Sequence, residues 1–192
     1  MVMRIGILAL QGAVREHAII LRKLNVTPVL VTRKEDLKDL DGFIIPGGES
    51  TTISDMLHLY NLHNPIKTLH KRGIPIYGTC AGAIILSKNP ESKKVKPLGL
   101  IDVTLQRNAY GTQKDSFETQ INIKNIGKFH GIFIRAPIIT AYNHNTQILS
   151  NFEDNPIMAV SDNILITTFH PELTKDTRVH ELFITMVKKS KV

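Results

Sequence analysis

Residues 74–87 read IPIYGTCAGAIILS and place Cys80 between two glycines, Gly78 and Gly82. The apolar start of this segment is typical of a short buried strand at 74–77, and a helix is expected from 81 to 87. The arrangement is the G-x-nucleophile-x-G pattern of a nucleophile elbow, with cysteine in the nucleophile position. Glycine is needed because a sharp strand-to-helix turn leaves no room for neighbouring side chains. The stretch therefore predicts an α/β fold that presents a thiol at the carboxyl edge of its sheet.

The same alternation of strand and helix signals runs through residues 1–90. The expected elements are strands at 4–10, 28–31 and 42–45, and helices at 13–24 and from an N-cap at Ser50 or Thr51 to about residue 60. Strands that alternate with helices predict a mostly parallel central sheet with helices on both faces, which is an open three-layer αβα fold.

The second half of the chain has a different character. Residues 98–169 are rich in β-branched and aromatic residues and contain several turn signals, so extra antiparallel strands are expected there. An amphipathic segment at 176–188 predicts a final helix. No repeat or linker interrupts the chain, and residues 1–192 are predicted to form a single domain.

The composition excludes several classes of protein. There is no apolar run of about 18 residues, no recognisable signal peptide and only one cysteine, so a cytoplasmic protein without membrane association is expected. The net charge of +7 comes from scattered basic residues without interleaved aromatic side chains, and there is no tryptophan. Nucleic-acid binding is therefore not expected.

A histidine that follows a strong strand signal is the candidate partner of the thiol. His170 comes directly after residues 164–169, ILITTF, and precedes Pro171 and Glu172. Residues two apart in extended backbone point the same way, so Glu172 is expected to bond one ring nitrogen and leave the other to take the thiol proton. The other seven histidines show no matching acidic neighbour in the sequence. A surface turn also explains His-Pro-Glu, just as a structural role explains a lone cysteine.

The turn at residues 46–50, PGGES, follows a predicted strand and precedes a predicted helix. Backbone N–H groups in such a turn are free to stabilise an oxyanion, and the N–H of Ala81 is a candidate second donor. A plain tight turn explains the same residues. Neither glycine-rich segment completes a nucleotide-binding motif, and the histidines lack metal-ligand spacing, so no metal or cofactor is expected.

Together these features resemble the class I (triad) glutamine amidotransferases, whose fold is flavodoxin-like. Within that class the chain resembles the glutaminase subunits of pyridoxal 5'-phosphate synthase. The resemblance is carried by stretches from one end of the chain to the other: LALQGAVREH at 8–17, PGGESTT at 46–52, GTCAG at 78–82, QRNAYG at 106–111, Ile134-Arg135, and FHPEL at 169–173. The elbow and His-Pro-Glu are shared across the class, whereas the first two stretches are specific to this subunit.

The resemblance implies that Cys80 is the nucleophile, that His170 acts as general base and then acid, and that Glu172 orients it. It implies that L-glutamine is the substrate, hydrolysed through a thioester on Cys80. The implied glutamine-binding residues are Gly48, Glu49, Ser50, Arg107, Ile134 and Arg135, with Gly48 and Ala81 forming the oxyanion hole.

The resemblance also implies a partner. Ammonia would pass to a barrel-shaped, oligomeric synthase subunit, with each glutaminase docking on one synthase subunit. Gln11 is then expected to brace the oxyanion turn on docking.

The chain departs from the usual pattern of the family at three positions. Ala109 replaces the usual serine, Thr112 replaces a basic residue, and Ala83 is smaller than the usual leucine. Three other readings stay open: a glutaminase subunit of another biosynthetic amidotransferase, a cysteine hydrolase or redox protein of the same fold, and a binding module in which Cys80 is inert.

Overall fold

The structure, a computed structural model, describes residues 2–107 and 116–191. The strands of this part of the chain are β1 Arg4–Leu8, β2 Thr27–Val31, β3 Gly42–Ile45, β4 Ile76–Thr79, β5 Ser87–Pro90, β6 Ile101–Gln106, β7 Ser116–Ile123, β8 Gly127–Ile134, β9 Ile138–Tyr142, β10 Gln147–Phe152, β11 Asn155–Ser161 and β12 Ile164–Thr167. The helices are α1 Val14–Lys23, α2 Ser50–Leu59, α3 His63–Lys71, α4 Ala81–Leu86 and α5 Arg178–Lys189.

The central sheet has the strand order β10-β11-β12-β4-β3-β1-β2. The pairs from β12 to β2 are parallel, and β11 and β10 extend the sheet with antiparallel pairs. Smaller sheets, β5-β6-β9 and β7-β8, are built from β5 and from strands of the second half of the chain. The predicted mostly parallel sheet and the added antiparallel strands are therefore confirmed.

The two faces of the central sheet are covered by different helices. Apolar residues of α1 and α5 pack in one core cluster with the β7-β8 hairpin, and those of α2, α3 and α4 pack in the other. Neighbouring residues of β3 point to opposite faces, since Ile44 joins the first cluster and Ile45 the second. These clusters confirm the predicted three-layer αβα arrangement.

Some local predictions were wrong. Strand β4 is displaced by two residues from the predicted 74–77, because Pro75 has no N–H to donate and contributes only its carbonyl, which accepts from Phe43. Helix α2 is capped by Glu49 rather than by Ser50 or Thr51, and its carboxylate accepts from the Thr51 N–H at 3.5 Å. Helix α3 was not predicted; it buries only Ile66 and Leu69, which is too few residues for a clear periodic pattern.

Among the residues described, no helix combines the length and the apolar character that crossing a bilayer requires.

The packing of α5 on the sheet generates a stability prediction. Phe183 is fully buried, with its ring 5.5 Å from that of Tyr77. Phe183→Ala is expected to lower the free energy of unfolding by about 3–5 kcal/mol, because it removes buried surface and leaves a cavity. Leu59→Ala, at a side chain that is 72% exposed, should change it by less than about 0.5 kcal/mol. Urea unfolding measures both, and equal midpoints for the two variants would contradict this packing.

Candidate active site

Cys80 lies at a strained turn between β4 and α4. Its backbone has φ 47° and ψ −102°, a left-handed conformation that a residue with a side chain seldom adopts. Both flanking glycines are required by close packing, since a Cβ on Gly78 would lie 2.7 Å from the Gly82 backbone, and one on Gly82 would collide with the carbonyl oxygen of Ile45. The side chain of Cys80 is nevertheless 7% exposed and reaches a pocket.

The parallel pairing of β4 with β12 brings His170 to the same edge of the sheet. Thr79 lies opposite Thr167 in this register, and the Cys80 N–H donates to the Thr167 carbonyl oxygen at 2.8 Å. His170 follows three residues later, and its N–H donates to the Ile132 carbonyl oxygen at 2.8 Å. The side chains of Cys80 and His170 line one pocket.

Glu172 holds the other side of the imidazole. The His170 Nδ1 is 2.7 Å from Glu172 Oε1, and both residues are buried. The predicted proximity is observed, but the predicted reason for it was wrong. Residues Pro171–Leu173 form a single 3-10 turn rather than extended backbone, and this turn folds the carboxylate back beneath the ring.

The electrostatics of this pair favour its charged forms. Burial acts to lower the pKa of His170, but its hydrogen bonds to Cys80 and Glu172 outweigh burial and raise the pKa well above the usual histidine range. Burial acts to raise the pKa of Glu172, but the side chains of His17 and His170 outweigh burial and lower it. The site therefore holds an ionised carboxylate that favours a proton on His170.

The turn at residues 46–50 lies beside the cysteine and is fixed by neighbouring side chains. The Gly47 N–H donates to Thr79 Oγ1 at 2.8 Å, and the Glu49 N–H donates to Gln11 Oε1 at 2.8 Å. Gly48, between them, is exposed and lines the pocket. The Ala81 N–H begins α4 and has no acceptor within the helix. The structure thus brings both predicted oxyanion donors, Gly48 and Ala81, to the pocket that contains Cys80.

The pocket has a volume of about 360 Å³ and contains every residue predicted to bind the substrate. These residues are Gly48, Glu49, Ser50, Arg107, Ile134 and Arg135. Glu49 Oε1 pairs with Arg107 at 3.0 Å and accepts from the Thr51 hydroxyl at 2.8 Å. Hydrogen bonds from Thr51, followed by the charge of Arg107, lower the pKa of Glu49. The Ser50 hydroxyl is buried and has no partner among the described residues.

The sequence prediction missed two histidine–carboxylate contacts. His130 lies on β8 and bonds Glu118 of β7 at 2.7 Å, away from the pocket. His17 is fully buried in α1, with its Nε2 3.8 Å from Glu172 Oε1. The prediction that His17 has no acidic neighbour was therefore wrong, because the two residues are adjacent only after folding. A histidine on the apolar side of an amphipathic helix was the signal available in the sequence.

Some predicted features lie outside the described residues. Ala109, Thr112 and most of the stretch at 106–111 fall in this group. Ala83 is fully buried in α4, where its small side chain is part of the core. Among the described residues, no cluster of three or more histidine, cysteine, aspartate or glutamate side chains is arranged to hold a metal ion.

Comparison with known proteins identifies the family. Residues 7–189 match the SNO glutamine amidotransferase family. A relative named pyridoxal 5'-phosphate synthase subunit PdxT, from Thermosipho africanus, is 47% identical over 97% of this chain and 100% of its own length. The subunit of the same name from Brevibacillus brevis is also 47% identical, over 97% of this chain and 98% of its own.

A solved structure agrees with these relatives. A crystal structure described as a glutamine amidotransferase superposes with a TM-score of 0.92 at 38% identity, covering 96% of this chain and 98% of that one. The match to the family spans nearly the whole sequence, and the shared fold includes the strands that carry the pocket. This chain therefore belongs to the SNO glutamine amidotransferase family.

Proposed function

We propose that this protein is the glutaminase subunit of a pyridoxal 5'-phosphate synthase, which hydrolyses L-glutamine to L-glutamate and ammonia. The observation that carries the proposal is the convergence of Cys80 and His170 in one pocket at the edge of the sheet, with the buried Glu172 carboxylate bonded to the imidazole. The relatives named PdxT, each covered almost completely by this chain, support the identity of the synthase. Residues 1–192 would act as one domain in the cytoplasm, consistent with an unpaired cysteine.

In this proposal the Cys80 thiolate attacks the side-chain amide carbon of glutamine. A C–S bond forms, the carbonyl π electrons move to oxygen, and collapse of the tetrahedral intermediate breaks the C–N bond as His170 donates a proton to the leaving nitrogen. Ammonia leaves and a glutamyl thioester remains on Cys80. His170 then removes a proton from water, which attacks the thioester and releases glutamate and the thiol. Glu172 holds the ring in the tautomer that both steps need.

The oxyanion of each intermediate would be bound by the backbone N–H groups of Gly48 and Ala81. Gly48 is exposed in the pocket, whereas the N–H groups of Gly47 and Glu49 on either side already have acceptors. The Ala81 N–H lies at the N-terminus of α4, so the positive end of the helix dipole would also stabilise the oxyanion. Loss of one such donor typically lowers the rate about a hundred- to a thousandfold.

The α-amino acid end of glutamine would bind against the paired side chains of Glu49 and Arg107. A carboxylate suits the α-ammonium group and a guanidinium suits the α-carboxylate, and these two side chains lie 3.0 Å apart at the pocket. Ser50 has a buried hydroxyl without a partner among the described residues, which supports a polar contact to the substrate. Ile134 and Arg135 also line the pocket, and the Ile134 carbonyl oxygen lies 3.9 Å from Cys80 Sγ.

The partner in this proposal is the barrel-shaped, oligomeric synthase subunit, with one glutaminase docked on each copy and ammonia passed through the contact. In this proposal Gln11 transmits docking to the turn; the role is supported by its side-chain oxygen, which accepts the Glu49 N–H, and by its position in the lining of the pocket.

The first prediction tests the triad. Cys80→Ala and His170→Asn are each expected to lower the rate of ammonia release at least about a thousandfold, because they remove the nucleophile or the base. Glu172→Ala should keep a rate at least about tenfold higher than those two variants, because the base remains. A glutamine-analogue diazoketone should add one equivalent to Cys80 in the wild type. Unchanged urea midpoints would exclude misfolding, and turnover by Cys80→Ala would refute the covalent mechanism.

A second prediction concerns recognition of the substrate. Arg107→Met should raise KM for glutamine about tenfold or more and change kcat by less than about threefold, since it removes a contact made in both ground and transition states. Lys88→Met is the matched control, because Lys88 pairs with Asp102 at 3.3 Å outside this pocket. Steady-state glutaminase assays give both constants. An unchanged KM in Arg107→Met would show that Arg107 does not contribute to the binding of glutamine.

A third prediction concerns docking. Gln11→Ala should reduce the activity gained on adding the synthase subunit about tenfold, because the Glu49 N–H loses its acceptor. Gln147→Ala, at an exposed position on β10, should leave the gain unchanged. Comparison of glutaminase rates with and without the synthase measures this effect. Full activation of Gln11→Ala would show that Gln11 does not brace the turn.

A further inference from the structure

Three buried polar side chains form a chain of contacts that ends at Glu172 of the proposed triad. His180 Nε2 is 2.9 Å from His17 Nδ1, and His17 Nε2 is 3.3 Å from Thr79 Oγ1. Thr79 Oγ1 is in turn 3.4 Å from Glu172 Oε1. Each of these residues is at most 4% exposed. None of His17, Thr79 and His180 has a role in the chemistry proposed above, although burying so many polar groups is unfavourable unless their hydrogen bonds are satisfied.

The Thr79 hydroxyl connects the oxyanion turn to the triad. It accepts the Gly47 N–H at 2.8 Å, and it is within reach of Glu172 Oε1, the same oxygen that bonds His170 Nδ1 at 2.7 Å. The other Glu172 oxygen has no hydrogen-bond partner among the described residues. The orientation of the carboxylate therefore depends on the groups that converge on Oε1.

Hydrogen-bond accounting favours one direction for each proton. Burial lowers the pKa of His17 and lowers that of His180 to about 3, so both rings are neutral at pH 7. If His180 Nε2 donates to His17 Nδ1, then His17 carries its proton on Nε2, pointing toward Thr79 and the Glu172 carboxylate. The Thr79 hydroxyl then accepts from His17 and from Gly47 and donates to Glu172. The negative charge of Glu172 favours this arrangement over its reverse.

We propose that Thr79 is a positioning residue for glutamine hydrolysis, one hydroxyl that fixes both the Gly47 peptide and the Glu172 carboxylate and is itself oriented by the buried His17–His180 pair. The inference rests on the proposed glutaminase function and extends it to residues that never contact the substrate. It also accounts for the placement of His17 on the first helix, directly beneath the site.

The Gly47 peptide is the part of the turn on which the oxyanion hole depends. Its N–H, in the Pro46–Gly47 peptide, is held by Thr79, and its carbonyl oxygen, in the Gly47–Gly48 peptide, accepts the Ala13 N–H at 3.0 Å, so each of the two peptide planes that meet at Gly47 is held by one hydrogen bond. A Cβ on Gly47 would collide with the His170 ring, which shows how closely this peptide packs against the base. Loss of the Thr79 acceptor would release the Pro46–Gly47 peptide, which precedes the plane that carries the Gly48 N–H, and would leave a buried N–H unpaired.

The test compares two buried threonines. Thr79→Val removes the hydroxyl with little change in shape, whereas Thr79→Ser keeps it. Thr168→Val is the matched control, because Thr168 is also fully buried but its hydroxyl has no partner among the described residues. With the synthase subunit present, Thr79→Val should lower kcat about ten- to a hundredfold and change KM by less than about threefold. Thr79→Ser should recover kcat to within about threefold of the wild type, and Thr168→Val should not lower it.

A second pair of variants tests the orienting role of the histidine. His17→Gln keeps a side-chain N–H in reach of Thr79 and should lose less than about fivefold in kcat, whereas His17→Leu removes that donor and should lose at least about tenfold. Both variants lose the contact to His180, so a difference between them reports the N–H near Thr79. Urea midpoints of the two variants are measured alongside.

Amide hydrogen exchange of Gly47 gives a readout that does not depend on activity. In Thr79→Val the Gly47 N–H should exchange at least about tenfold faster than in the wild type, and in Thr168→Val at the wild-type rate. Unchanged Gly47 exchange in Thr79→Val would overturn the positioning role. Equal losses of kcat in Thr79→Val and Thr168→Val would also overturn it, as would a kcat of Thr79→Ser as low as that of Thr79→Val. Equal kcat values in the two His17 variants would overturn the orienting role of the histidine. The wild-type protein could also neither release ammonia nor react with the diazoketone, while the Gly47 N–H still exchanges faster in Thr79→Val than in the wild type. That result would refute the glutaminase function and leave the hydrogen-bond link between Thr79 and Gly47 in place.

Discussion

The backbone hydrogen bond from the Cys80 N–H to the Thr167 carbonyl oxygen is the contact on which the arrangement of the site depends. It closes the parallel pairing of β4 with β12 and fixes the register in which the two strands end side by side. Successive side chains on a strand alternate between faces, so a slip of one residue would point the ends of the strands to the wrong sides of the sheet. Cys80 and His170 are therefore brought together by sheet geometry, although ninety residues of sequence separate them.

The chemistry of this edge requires charge in a place that excludes water. Glu172 is buried beneath His170, and an unpaired carboxylate in such a position is strongly destabilising, by about 3–5 kcal/mol when its partner is lost. The protein offsets this burial with several donors that point at one oxygen of the carboxylate. The same contacts that keep the charge stable hold the imidazole in place. Stability and reactivity at this site thus share one set of hydrogen bonds.

Much of the site could be predicted from sequence because its central residues lie in short, rigid segments. A cysteine between two glycines at a strand–helix junction and a histidine at the end of a strand depend on local backbone geometry, which sequence patterns report well. The contact between Glu172 and His170 was predicted correctly from the wrong conformation: extended backbone would have put both side chains on one face, whereas a 3-10 turn that begins directly after His170 folds Glu172 back to the ring. His17 was missed because its partners come from a strand and a helix distant in sequence. Its surroundings exist only once three elements have packed.

The contact between His17 on α1 and His180 on α5 has a consequence for how the protein is made. A ribosome synthesises α1 well before α5, the helix that contacts it through His180, and β12 emerges long after β4. Local pairs such as β1 with β2 can form on the nascent chain, whereas the non-local pairs around the cysteine must wait. Until the segment that contains β12 and His170 has been translated, the growing polypeptide carries the Cys80 thiol without the imidazole beside it. The pocket around Cys80 can form only after that segment has folded onto β4.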